Sequence, residues 1–411
     1  MAALDERLLD DEAARRRLDS RDVLRSLATA GAQVRQGVRL AADAGIDRLS
    51  STDRPRMILV AATGGTSVVG DILATIAGPT SSVPVMVRPD GPLPGWVGAL
   101  DLVISVSQSG VAAGPVALCA EAARRGAALL TIGAPDSPLA DVCARGRGIH
   151  VEVPRDRTAS RTALWSMVTP VLVAAHRLGL VDASDACLDG VADRLDAAAA
   201  AYRPSSEFFV NPAKILAADL AERIPVFLAD GPVAGIAARR ATTMLARTAR
   251  HPATWGELPS AAASAVALLD GRFTDEGAAA CAQRAQLALG EEPAAQAGDA
   301  FDSLFRDPYL DAAPDPRLAV VLVRDATDAA NPQPAGSGAV AEAVVAAARA
   351  SGVQVSEAQA SPGHPLERLA DLVSLVDFTA TYLAIGGGLD PSVSDHVAAL
   401  RQRRSTPPAP S

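Results

Sequence analysis

The chain has 411 residues, 49% of them hydrophobic and 21% charged, which fits a soluble globular protein with two domains of ordinary size. The net charge of −9 argues against a nucleic-acid-binding protein, because such a protein needs a basic face. No uninterrupted apolar run reaches about 18 residues, so no membrane span is expected.

The N-terminal stretch MAALDERLLDDEAARRR is charged and lacks the apolar centre of a signal peptide, so we expect a cytoplasmic protein. Lys214 is the only lysine, and the other basic residues are arginines. The four cysteines show no CxxC or CxH spacing, which predicts neither a zinc site nor a disulfide framework. They are Cys119, Cys143, Cys187 and Cys281.

The first half of the chain alternates strands and helices. A helix is predicted over 22–45 and is followed by short apolar runs that read as strands, with helical runs between them. The strands are predicted at 57–61, 83–87, 101–107, 127–133 and 150–153, and the helices at 67–78, 112–126 and 137–146. Such a pattern predicts a doubly wound α/β domain with a parallel sheet covered on both faces.

Two helices, over 161–180 and 185–202, lead to a domain junction at 203–212, and the alternation then restarts. Strands are predicted at 224–230, 317–325 and 353–360, and helices at 234–250, 339–352, 365–385 and 390–404. Asp390 is the expected N-cap of the last helix, with Pro391 at its first position. We divide the chain into an N-terminal helical segment (1–50), a first domain (51–203), a second domain (204–404) with an insertion at 271–316, and a disordered tail (405–411).

The stretch ATGGTSVVGD (62–71) forms a first glycine turn between a strand and a helix. Backbone N–H groups at a helix start attract anions, and Gly64 and Gly65 let the backbone approach a ligand. Thr66 and Ser67 add hydroxyl donors. The glycine spacing is wrong for a GxGxxG dinucleotide motif, and a Walker loop is excluded because its lysine is missing. These residues alone leave open a turn that binds nothing.

A second turn, SQSG, follows the strand 101–107 and brings Ser107, Ser109 and Gly110 to the same edge of the sheet. Hydroxyls and free amides from two turns can converge on one phosphate, since ligands of open α/β sheets bind outside the carboxyl ends of the strands. Neutral donors suit a phosphate monoester, so no metal and no cofactor is expected.

On these residues the chain resembles the sugar isomerase (SIS) domain, and more closely the bifunctional phosphoglucose/phosphomannose isomerase family. That family has GMGGSAIGGD and SYSGNTEET where this chain has ATGGTSVVGD and SQSGVAAGP. The resemblance extends over roughly 55–404. It implies two doubly wound SIS domains with flanking helices, a homodimer, and aldose–ketose isomerisation of a hexose 6-phosphate at a site between domains and subunits.

Most of the family's phosphate pocket is retained by this resemblance. Thr66 replaces a phosphate-binding serine, and Ser107 and Ser109 match directly. Ala112 stands where the family has a threonine, so one hydroxyl is missing. Arg161, in SRTAL, matches an arginine that the resemblance implies steadies the enediolate.

The family's proton-transfer positions are substituted. Aligned through Pro252 and Trp255, Arg247 occupies the position of the glutamate base and Ala263 that of the ring-opening histidine; the C-terminal lysine position falls on Arg401. Arginine does not give up its proton near neutral pH, so it cannot act as a base. His251 and Glu257 lie nearby and are expected to be packing or surface residues, as is Lys214, predicted on a helix surface.

The first interpretation is therefore a hexose-6-phosphate-binding protein of this family with catalysis lost or much weakened and a regulatory role. The alternative is an active isomerase that interconverts fructose 6-phosphate with glucose or mannose 6-phosphate through relocated groups. A structural partner with an empty pocket is the third. The sequence does not decide among them.

Overall fold

A computed structural model describes residues 4–79, 81–154, 161–289, 317–326 and 337–405, without the side chains of residues 51, 337 and 401–405. It contains two parallel β-sheets. The first sheet has the strand order β2-β1-β3-β4-β5, so the chain leaves β1 toward one edge and then crosses to β3 on the other side. Its strands are β1 (Ile58–Ala62), β2 (Val85–Arg88), β3 (Leu102–Ser107), β4 (Ala128–Gly133) and β5 (Ile149–Glu152).

The second sheet has the order β7-β6-β8-β9 and again places its first strand between the second and the third. All of its pairings are parallel; Phe227 of β6, for example, pairs with both Trp255 and Val321. Its strands are β6 (Arg223–Asp230), β7 (Thr254–Glu257), β8 (Arg317–Arg324) and β9 (Gln354–Gln359). The predicted α/β fold with two doubly wound parallel sheets is confirmed.

The helices of the first half are α1 (Glu6–Asp10), α2 (Glu12–Leu18), α3 (Val23–Ala28), α4 (Ala30–Asp43), α5 (Ser67–Ala77), α6 (Ala113–Arg124), α7 (Pro138–Arg145), α8 (Leu164–Arg177) and α9 (Asp185–Ala201). Those of the second half are α10 (Pro212–Leu220), α11 (Pro232–Met244), α12 (Ala262–Leu269), α13 (Asp275–Leu289), α14 (Ser337–Ala350), α15 (Pro365–Gly386) and α16 (Asp395–Ser405). A single π-helical turn, Leu245–Ala249, follows α11.

Side chains alternate between the faces of each strand, so each sheet contributes to two cores. One face of each sheet packs into a continuous core with the helices between the sheets, where Val60 of β1 and Val321 of β8 are both fully buried. The outer face of the first sheet packs on α6 and α7, and that of the second packs on α12 and α14. The two sheets therefore share a middle layer of helices.

The structure corrects two predicted elements and adds a third that was not predicted. The helix predicted over 22–45 is broken at Thr29 into α3 and α4. The last helix begins at Asp395 rather than at 390, because the Asp390 carboxylate accepts hydrogen bonds from Ser392 N (2.7 Å) and Ser20 Oγ (2.5 Å) in a turn before the helix. The edge strand β7 had no sequence prediction, since TWGE is short and largely exposed.

Within the described residues, α15 is the one helix long and apolar enough to cross a membrane. However, 89% of its most apolar window is buried inside the protein, as in the core helix of a globular domain. It contacts α9, α10 and α11 and so holds the two halves together.

Candidate functional site

The strand order of the first sheet creates a crevice outside the carboxyl ends of β1 and β3, which we name the first crevice. Connections leave these two adjacent strands in opposite directions, and ligands of open α/β sheets bind at such a point. The first turn follows β1 and the second turn follows β3, so the structure brings both predicted turns to this crevice.

The first turn leaves β1 through a short 3-10 turn, Gly64–Thr66, and enters α5 at Ser67. Gly64 has φ +63°, and nothing lies within 4 Å of where its Cβ would be. One helical turn further on, a Cβ on Gly70 would lie 2.6 Å from a methyl of Val87. The glycine at 70 thus lets α5 pack closely on the sheet, which fixes the direction in which the helix start faces the crevice.

The second turn is held by its own backbone. Gly110 N donates to Ser107 O at 2.8 Å, and Gly110 has φ +68°. Ser107 is buried, and its hydroxyl accepts from Ala112 N at 3.4 Å, whereas Ser109 is exposed. Because a hydroxyl that accepts a hydrogen bond keeps its own proton, Ser107 can still donate to a ligand.

Thr66 joins the two turns. Its hydroxyl is buried and lies 3.0 Å from Thr63 O and 3.4 Å from Val106 O, the carbonyl next to Ser107. Ser67 donates to Gly64 O at 2.8 Å. In this structure the hydroxyls of Thr66 and Ser67 therefore stabilise the turns through hydrogen bonds to backbone carbonyls. The donors left for an anion are the Ser107 hydroxyl, the Ser109 side chain and the backbone N–H groups at the starts of α5 and α6.

Arg161 binds the C-terminal segment. Its Nη2 donates to Pro391 O at 2.6 Å and to Ser392 O at 3.4 Å. Its own carbonyl accepts from Arg240 Nη2 at 2.6 Å, and Arg240 is paired with buried Asp377 at 2.7 Å. Arg161 thus joins the segment before α8 to α11 and to the segment that precedes α16.

The three substituted family positions lie on separate elements of the second half. Arg247 is half-buried in the π-helical turn after α11, a kind of turn that is often found at functional sites. Ala263 is exposed in the first turn of α12. Arg401 lies in α16, and its side chain is among those that the structure does not describe. Glu257 is exposed at the end of β7.

His251 is a packing residue. It is 8% exposed and donates from Nε2 to Arg223 O at 2.6 Å. Burial lowers the pKa of His251 below its ordinary value, although the hydrogen bond to Arg223 O opposes this. The ring therefore stays neutral near pH 7 and is engaged away from the first crevice.

The prediction of a helix-surface lysine at 214 is wrong. Lys214 is fully buried, and its Nζ lies 3.0 Å from each of three oxygens: Asp10 Oδ1, Pro204 O and Ser206 O. The NPAK motif explains this, since Asn211 caps α10 and directs its first turn, which carries Lys214, toward the preceding loop. The lysine ties the N-terminal helices to the start of the second domain.

An ion pair that the sequence did not indicate connects the first crevice to the second domain. Asp71, one turn into α5, lies 2.9 Å from Arg239 of α11. Burial raises the pKa of Asp71 above its ordinary value, and the charge of Arg239 opposes the rise. The partners are far apart in sequence, so no local pattern could have revealed the pair.

Among the described residues, no group of three or more His, Cys, Asp or Glu side chains is placed to hold a metal ion. The donors at the first crevice are hydroxyls and amides, which are suited to an anion rather than to a cation.

Comparisons with known proteins agree with this architecture. Residues 209–403 match the family described as the bacterial phospho-glucose isomerase C-terminal SIS domain. Among curated proteins, no sequence matches this chain.

Solved structures with similar folds share little sequence with the chain. A hypothetical protein from Thermus thermophilus is 15% identical with a TM-score of 0.64, over 98% of this chain and 95% of its own. Tagatose-6-phosphate ketose/aldose isomerase from Escherichia coli is 13% identical with a TM-score of 0.56, over 90% and 92%. The C-terminal domain of glucosamine-fructose-6-phosphate aminotransferase from Francisella tularensis is 14% identical with a TM-score of 0.52, over 90% and 97%. At these identities the likeness establishes the fold.

Proposed function

We propose, because this chain is a SIS-domain protein of the phosphoglucose isomerase-like family, that it binds the phosphate group of a hexose 6-phosphate in the first crevice. The observation that carries the proposal is the contact between the two turns, in which Thr66 reaches Val106 O beside Ser107. This contact joins the first turn, which opens α5, to the end of β3, where the second turn and Ser107 begin, and it supports a shared site for one anion. Two helix starts and a hydroxyl donor form a suitable site for a phosphate ester.

We further propose that proton transfer is lost or much weakened, and that the protein has a regulatory role. A base must lie within hydrogen-bonding reach of the proton it abstracts. The family's base position holds Arg247, which stays protonated, and its histidine position holds Ala263, which has no titratable group. Arg247 would instead add a positive charge toward a bound sugar phosphate, so Arg247→Ala should weaken binding.

A homodimer in the cytoplasm is part of the same proposal. It is supported by the family, whose site takes residues from both subunits. Light scattering on the purified protein measures the oligomeric state directly, and a monomer would contradict this part of the proposal.

Binding is tested by thermal unfolding with fructose, glucose and mannose 6-phosphates, with unphosphorylated fructose as the ligand control. A ligand at about 100 times its dissociation constant should stabilise the protein by about 2.7 kcal/mol. Ser107→Ala removes one hydrogen bond to a charged group, worth about 1.5–3 kcal/mol, and should weaken binding by about ten- to a hundredfold.

Ser105→Ala is the matched control. Ser105 lies on the same strand, is buried, and donates to Pro115 O at 3.1 Å. Its loss should lower stability while leaving the affinity of the first crevice unchanged. Equal affinities in Ser107→Ala and the wild type, or no stabilisation by any sugar phosphate, would contradict phosphate binding at the first crevice.

Loss of catalysis is tested separately by incubation with fructose 6-phosphate and coupled detection of glucose or mannose 6-phosphate. We expect no turnover, or turnover far below about 1 s⁻¹. A turnover of about 1 s⁻¹ or more, which is ordinary for enzymes, would establish the isomerase instead and would leave the binding proposal intact.

A further inference from the structure

The second sheet has its own switch point, between β6 and β8, which we name the second crevice. The chain passes from β6 into α11 through the single residue Gly231, and Pro232 takes the first helical position. Proline has no N–H, and the multi-residue glycine turn of the first crevice has no counterpart in this connection. The second crevice therefore offers an anion fewer backbone donors than the first.

At the second crevice, the carboxylate of Asp325 lies at the start of α11, where a ligand anion would bind. Asp325 directly follows β8, and its backbone N donates to Asp230 O at 2.9 Å. Its Oδ2 accepts from Val233 N, in the first turn of α11, at 3.4 Å. Its Oδ1 lies 2.7 Å from Nε of Arg368, which comes from α15. Asp325 is 6% exposed and Arg368 is fully buried.

The fit of this carboxylate depends on Gly231. Gly231 has φ +111°, and a Cβ at this position would lie 2.6 Å from Asp325 Cβ. A helix N-terminus and a guanidinium are the groups with which proteins bind phosphate and carboxylate ligands. The carboxylate of Asp325 receives both from within its own chain, and a buried charge is tolerated only when it is compensated in this way.

We propose that Asp325 is a built-in substitute for a ligand anion, which closes the second crevice to phosphate esters and leaves a small-anion site when it is removed. The class of ligand for the vacated site is inorganic phosphate or a short carboxylate such as acetate. The inference extends the proposed function, which concerns only the first crevice, and its test does not depend on that function.

The test uses the full chain with Ser107→Ala and Ser109→Ala, so that anion binding at the first crevice is weakened, and this variant with Asp325 intact gives the baseline. With Asp325 intact, phosphate and acetate should leave the unfolding temperature of this variant unchanged beyond the effect of a matched chloride concentration. Adding Asp325→Ala should lower the unfolding temperature by several degrees, and phosphate or acetate should restore most of that loss.

Two controls separate a built site from a general salt effect. Asp325→Asn fills the same space without the charge, so it should be destabilised and not restored by either anion. Adding Arg368→Met to Asp325→Ala removes the cation and should abolish the restoration. An unfolding temperature of Asp325→Ala that responds to neither anion, or that responds equally in the Arg368→Met variant, would overturn the proposal.

If Asp325→Ala does not accumulate as folded protein, its refolding yield from denaturant is measured with and without each anion. A yield that rises with phosphate or acetate supports the proposal, and a yield independent of both overturns it. Failure of the wild type to bind any hexose 6-phosphate would instead refute the function of the first crevice and would leave this result unaffected.

Discussion

Replacing Gly110 by alanine should destabilise the protein more than the same change at Gly64, although both glycines have a left-handed backbone conformation. Their φ angles are +68° and +63°. Alanine in this conformation costs about 1–2 kcal/mol, of which about 0.4–1 kcal/mol is recovered because alanine restricts the unfolded chain. At Gly64 nothing lies within 4 Å of the added methyl group, so the net loss should be about 1 kcal/mol.

At Gly110 the methyl group meets a neighbour. Its carbon would lie 2.1 Å from Ser137 Oγ and 2.4 Å from Ser137 Cβ, so the serine must move. Ser137 caps α7 by accepting from Ala140 N at 3.3 Å, and the loss of such a cap costs about 0.5–2 kcal/mol. Gly110→Ala should therefore cost about 1.5–3 kcal/mol in total.

The assay is urea unfolding of the two variants and the wild type, followed by circular dichroism. Ser137→Gly provides the cross-check, because it removes both atoms of the clash, and its effect should not add to that of Gly110→Ala. Losses that agree within about 0.5 kcal/mol for Gly64→Ala and Gly110→Ala would show that the space around the second turn does not matter and would refute the reasoning.

Other outcomes follow from buried polar groups. Lys214→Met removes three hydrogen bonds of 3.0 Å from a fully buried ammonium, and urea unfolding should show a loss of about 2–4 kcal/mol; a loss below about 0.5 kcal/mol would contradict its structural role. Burial raises the pKa of the Cys119 thiol to about 12, whereas Cys281 is exposed. A thiol reagent should therefore modify Cys281 first and Cys119 only after unfolding. Prompt labelling of Cys119 in the native protein would argue against its burial. Burial also lowers the pKa of His251 below its ordinary value of 6.5, so at mildly acidic pH the unfolded chain binds a proton that the native chain does not. This contribution to stability is present above pH 6.5 and is lost as the pH falls through the lowered value. A His251→Gln variant with an unchanged acid-unfolding profile would refute it.

The first domain could be predicted closely because its strands are continuous apolar runs. β1 and β3 are buried along their whole length, so nearly every residue in them is apolar and their limits are clear from the sequence. Each turn between strand and helix is marked by glycine or serine. Both turns of the first crevice were therefore found, and the strand order then placed them together.

The second domain was harder to predict for physical reasons. β7 is an exposed edge strand of four residues, which is too short to show the alternation of apolar and polar residues that distinguishes a strand from a loop. The sequence predicts a surface lysine at 214 because the three partners of Lys214 belong to segments that only the fold brings near. The part of the predicted insertion at 290–316 lies outside the described residues, as does the tail beyond 405.

The hydroxyls of the first crevice show a similar limit. The sequence indicates that Thr66 and Ser67 are near an anion site, but not where their protons point. In the structure both donate to backbone carbonyls. The number of donors at a turn can thus be read from sequence, whereas their direction depends on neighbours that sequence does not show.

The ion pair between Asp71 and Arg239 bridges the two halves of the molecule. α5 starts at the first crevice, and α11 ends in the π-helical turn that carries Arg247. The two helices also pack against each other in the shared core, so the ion pair adds an electrostatic link to an apolar one. Arg239 is about half exposed, so Arg239→Met should loosen the contact only modestly, and hydrogen exchange along α11 measures how much the ion pair contributes.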